Sequence, residues 1–172
     1  FMFCAFARTF TATKKIDNMR RRIVAGNWKM NNTWDEAIDL VNDLADMLND
    51  EILGETDVII APPSIVLPDV VEELWDIEFI SVAAQNCHHE TSGAFTGETS
   101  AAMIASVEAD ACIVGHSERR QYFGETDAQI AEKINRLFEE DLVPIYCCGE
   151  TLEQRSSGNH FNVVKTQLTE AL

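Results

Sequence analysis

The sequence predicts an α/β fold of parallel strands, each followed by a helix. Three observations carry this reading. Short apolar runs alternate with stretches of helical periodicity from residue 23 onward. The runs are apolar at almost every position rather than at every second one, as expected of strands covered on both faces. Two helical stretches open on capping-box pairs, Thr33 with Glu36 and Thr126 with Gln129.

The elements follow in order. Ile23–Trp28 is the first strand. Trp34, Ala37, Ile38, Val41, Leu44, Ala45 and Leu48 then recur at helical spacing behind the Thr33 cap. Asp57–Ala61 is a second strand, stopped by Pro62-Pro63, and a helix is expected over Ser64–Trp75. Phe79–Gln85 is a third strand, and a helix spans Ser100–Val107. Ala111–Val114 is a fourth strand, with a helix over Thr126–Glu139. Val143–Cys148 is a fifth, and Phe161, Val164, Leu168 and Leu172 mark a last amphipathic helix.

Strand–helix alternation calls for right-handed crossovers. Five such units in the 150 residues from Ile23 suit a complete doubly wound open sheet. They equally make five-eighths of a (β/α)8 barrel, which typically needs about 250 residues. In both architectures ligands bind at the carboxyl ends of the strands.

Composition narrows the function classes. With 172 residues, 46% hydrophobic, the chain supports one domain with a substantial core. No apolar run approaches the roughly eighteen residues that cross a bilayer. The net charge of −16 divides into about +5 on residues 1–22, where six cations face Asp17 alone, and −21 on the rest. So acidic a body repels nucleic acid and anionic membranes, and neither is expected as a partner. It also repels small anions, so an anion site has to be built locally. Five cysteines without a paired framework point to reduced thiols. His88-His89 is the one histidine cluster and has no partner at ligand spacing, so no metal site is expected. Residues 1–22, rich in Phe, Thr and Arg, read either as an organelle transit segment or as an upstream stretch before a start at Met19. The second reading is preferred and makes the protein cytoplasmic; the first makes it plastid or mitochondrial. Because the chain begins with Phe1, its N-terminus is expected to be a processed end or incomplete.

Polar residues collect at the strand ends. Asn27 and Lys29 follow the first strand, and Gly115-His116-Ser117-Glu118 follows the fourth. An ammonium there must be solvated or paired, and Glu118 is the expected partner of Lys29 across the rim. His116 precedes a short helix, whose dipole favours the uncharged ring. A neutral imidazole donates one hydrogen bond and accepts another, so it can polarise a carbonyl without carrying charge. Cys147-Cys148 is read as structural rather than redox-active, since a strand-end cysteine is small and readily buried.

The stretches "AGNWKMN", "APPS", "AAQN", "GAFTGETSAAMI", "VGHSERR" and "CCGETLEQR" together resemble the triosephosphate isomerase family, in order and over nearly all of Ile23–Leu172. The resemblance implies the barrel rather than the open sheet. It implies interconversion of dihydroxyacetone phosphate and glyceraldehyde 3-phosphate, in glycolysis and gluconeogenesis, through an enediolate and without a cofactor. It assigns Lys29 to the substrate's carbonyl oxygen and phosphate, Asn27 to substrate binding, His116 to the role of electrophile, Glu118 to the support of Lys29, and Cys147 to packing behind the site. Thr96, at the tip of "GAFTGE", would reach a second subunit, making a homodimer. The family's catalytic glutamate, on the sixth strand, its lid and its phosphate-gripping glycines have no counterpart in these 172 residues. The chain alone is therefore expected to be an inactive fragment of a longer product, the alternative being a non-enzymatic (βα)5 binding or assembly module.

Overall fold

A computed structural model describes residues 22–48, 56–77 and 79–172; the leader before Arg22 lies outside them. The strands are β1 (Arg22–Asn27), β2 (Thr56–Ala61), β3 (Ile80–Ala84), β4 (Ala111–Val114) and β5 (Val143–Tyr146). Between and after them stand α1 (Trp34–Met47), α2 (Leu67–Glu73), α3 (Ala101–Ser106), α4 (Ser117–Phe123), α5 (Asp127–Glu139), α6 (Leu152–Ser156) and α7 (His160–Ala171).

All four strand pairs are parallel, and the order is β1-β2-β3-β4-β5. A doubly wound sheet reverses its order partway and so places helices on both faces. Here each strand lies beside its predecessor without reversal, so right-handed crossovers put the helices on one face. That is the winding of a barrel. Alternate strand residues consequently enter two different cores. Ile60, Val82, Cys112 and Val114 join Val41, Val70, Ile104, Ile130 and Leu137 in the large core beneath the helices. Ile59, Ala61, Ala83, Ala111 and Ile113 form a smaller core on the opposite face.

β1 and β5 each pair on one side only. Ile23 and Val24 of β1 are consequently 55% and 60% exposed, although their sequence reads as buried strand. The helix expected over 64–75 is confined to Leu67–Glu73, with turns on both sides. Pro68 at its second position has no N–H to contribute and fits only a first turn. β5 ends at Tyr146, two residues early: the Cys147 amide still donates to the Val114 carbonyl at 2.9 Å, but the chain then turns away. α6 was not anticipated, although Thr151 and Gln154 cap it with the same box as α5. Cys87, Cys112, Cys147 and Cys148 are free thiols. Among the described residues no helix is long and apolar enough to cross a membrane, and no three His, Cys, Asp or Glu gather as metal ligands.

Candidate active site

The turn after β1 is bent by its own polar groups. Lys29 has φ +56°, in the left-handed region that side-chain-bearing residues seldom occupy. Such a conformation costs about 1–3 kcal/mol and persists only where neighbours over-determine it. They do so here. Asn27 Oδ1 accepts from the Lys29 amide at 3.0 Å, and Asn31 Nδ2 donates to the Trp28 carbonyl at 2.7 Å. Just past β3, Gln85 Nε2 donates both to the Lys29 carbonyl at 2.9 Å and to the Ala61 carbonyl at 2.8 Å. Asn27 thus caps the turn. Gln85 was read only as the end of an apolar strand; a carboxamide closing such a run was the available signal.

Held in this way, Lys29 Nζ meets Glu118 Oε1 at 2.6 Å, as expected. Both side chains are about half exposed, at 50% and 42%. A pair this wet contributes little to stability, so its effect is to place the ammonium. The Lys29 hydrogen bond, reinforced by the ammonium's charge, keeps the Glu118 carboxyl below the usual carboxylate value.

His116 is the N-cap of α4, and its Nδ1 accepts from the Glu118 amide at 3.3 Å. Glu118 Oε2 also lies 3.5 Å from Nδ1. The backbone amide can only donate, so it fixes Nδ1 as an acceptor and leaves Nε2 to carry the proton. Asn27, Lys29, His116 and Glu118 all line one open cleft of about 600 Å³ at the carboxyl ends of the strands. Cys147 is half-buried against the smaller core, and burial raises its thiol pKa. Thr96 is exposed in a turn of the loop after β3, next to Gly97, which lines the cleft.

A buried ionic group under the rim escaped the sequence reading. Lys133 of α5 donates to Glu125 and, at 2.8 Å, to Asn86 Oδ1, while Arg119 Nε donates to Glu125 Oε1 at 2.8 Å. The side chains of Lys133 and Glu125 are only 4% and 6% exposed. Burial alone would raise the Glu125 carboxyl; the Lys133 and Arg119 hydrogen bonds and charges outweigh it and hold it low. In sequence the three residues are surface-type charges at unremarkable spacing, so only the fold brings them together.

Known proteins resemble this chain over the same span. A family model described as triosephosphate isomerase matches residues 22–172. The triosephosphate isomerase of Cytophaga hutchinsonii is 46% identical over 154 residues, which are 90% of this chain and 61% of that protein. That of Clostridium beijerinckii is 45% identical over 150 residues, 87% of this chain and 59% of that protein. The crystal structure of triosephosphate isomerase from Bartonella henselae superimposes with a TM-score of 0.80 at 35% identity, covering 89% of this chain and 62% of that one. The chain spans about three fifths of the length of the relatives it matches, and its five strands are wound as part of a (β/α)8 barrel. On its sequence and on its fold alike, the chain belongs to the triosephosphate isomerase family.

Proposed function

We propose that this chain is the N-terminal part of an enzyme that interconverts dihydroxyacetone phosphate and D-glyceraldehyde 3-phosphate by proton transfer through an enediolate. The observation that carries the proposal is the convergence of Lys29, Asn27 and His116 on one cleft, with Lys29 in a strained turn and tied to Glu118. These are the groups that stabilise negative charge. The Lys29 ammonium attracts the phosphate and the oxygen on which charge develops, against the repulsion of a chain at −16. His116 Nε2–H donates to that same oxygen, and its neutral ring can return a proton. Asn27 fixes the turn and offers its amide to the substrate. The base that removes the carbon-bound proton belongs, by family resemblance, to a sixth strand.

The 172 residues alone should therefore bind triose phosphate weakly and not turn it over. A coupled assay of the purified chain checks this: turnover approaching the near-diffusion-limited rates of the fastest enzymes refutes it. In the complete barrel, Lys29→Met should lower kcat/KM by about a hundred- to a thousandfold, the loss expected when a transition-state charge loses its partner.

A homodimer belongs to the same reading. Met30, Phe95, Tyr122 and Phe123 are exposed apolar side chains around the cleft and the Thr96 loop, the kind of surface a partner covers. Light scattering of the complete protein and of Thr96→Arg should give a dimer and a monomer respectively. Cytoplasmic location is consistent with the free thiols, and a reporter fused to residues 1–22 tests it.

A further inference from the structure

We infer that Gln167 is a positioning residue for the site, acting through the loop after β5 on the turn that carries His116. Gln167 lies on α7, far from the cleft in sequence, and is buried at 8% exposure. Its side chain grips one residue by both backbone groups: Oε1 accepts from the Gly149 amide at 2.8 Å, and Nε2 donates to the Gly149 carbonyl at 3.1 Å. This paired bond imitates a strand contact where β5 has already ended, so a carboxamide replaces the missing ladder. The Gln167 carbonyl also accepts from the Tyr146 hydroxyl at 2.9 Å.

The clamped loop abuts the His116 turn. Arg120 is the hub. Its Nε donates to the Gly115 carbonyl at 2.8 Å, and its Nη2 donates to the Tyr146 hydroxyl at 3.3 Å and the Cys147 carbonyl at 3.4 Å. Asp127 holds the same guanidinium at 2.5 Å. Gly115, immediately before His116, has φ +72°, and a Cβ there would stand 3.0 Å from the Cys147 carbonyl oxygen and 3.2 Å from Arg120 Nη2. The two loops are thus in close backbone contact with no slack. Releasing Gly149 removes the anchor two residues beyond the Cys147 carbonyl and leaves that carbonyl, one wall of the His116 turn, held by Arg120 and by the Cys147 amide bond to Val114. Since an ångström of misplacement at a reacting group can cost on the order of a hundredfold in rate, Gln167 has a kinetic consequence without touching substrate.

The inference rests on the isomerase reading only for that kinetic consequence; the clamp itself is tested without it. In isotope-labelled chain, Gln167→Met, which removes donor and acceptor at similar length, should speed exchange of the Gly149 amide at least roughly tenfold and shift the ring-nitrogen resonances of His116. Leu137→Ala, a destabilising change elsewhere in the core, should leave the His116 ring signals in place. If Gln167→Met does not fold, Gln167→Glu, which accepts but cannot donate, and Tyr146→Phe should produce smaller shifts of the same kind. In the complete enzyme Gln167→Met should lower kcat about tenfold or more with KM nearly unchanged. Unchanged Gly149 exchange and unchanged His116 resonances in the variants overturn the inference. A His116 response in a complete protein with no isomerase activity would instead uphold the clamp and refute the proposed function.

Discussion

At the scale of single residues, the two ion pairs near the rim have opposite energetics. Lys29–Glu118 is half exposed, and its disruption should be felt in position and titration rather than in stability. In Lys29→Met, Glu118 should titrate higher, back toward an ordinary carboxylate, because the hydrogen bond that depresses it is gone; a side-chain carbon NMR titration reads this. Glu125–Lys133 is buried, and removing one partner strands the other, which typically costs about 3–5 kcal/mol. Glu125→Gln should therefore lower the urea midpoint at neutral pH by that order of free energy. The sign of the pH effect follows from the depressed Glu125 pKa. Its stabilisation is complete above the unfolded carboxyl's pKa, near 4.5, and is lost as pH falls through the lower folded value. Urea midpoints measured downward from pH 6 should fall in the parent chain and fall less steeply in Glu125→Gln.

At the scale of elements, local chemistry was largely legible. The capping boxes at Thr33 and Thr126 start α1 and α5 where the sequence placed them, and Thr126→Ala should cost about 1 kcal/mol, read as a lower urea midpoint at unchanged slope. The strand ends were less legible, because hydrophobicity runs on after pairing stops: Cys147 and Cys148 read as strand, yet β5 closes at Tyr146. Lys29, Asn27, Glu118 and His116 could be placed on one rim because each stands at the carboxyl end of a strand in an alternating chain. Gln85 and Gln167 could not. Their roles depend on carbonyls and amides 24 and 18 residues away in sequence, and an amide side chain carries no periodicity that announces a backbone partner.

At the scale of the whole molecule, two long-range terms dominate. The first is charge. At −16 the surface repels itself, so melting temperature should rise by several degrees between low salt and about 0.5 M KCl, where the Debye length is only a few ångströms; a circular-dichroism melt across that range shows it, and a flat response contradicts it. The second is strand order. Because every strand docks beside the one made just before it, a chain emerging from the ribosome can assemble this sheet as it appears, each crossover helix covering its strand in turn, with little waiting for distant partners. β1 is made first and, like β5, pairs on one side only, so Ile23 and Val24 stay in water, an apolar edge open to unwanted pairing until it is covered.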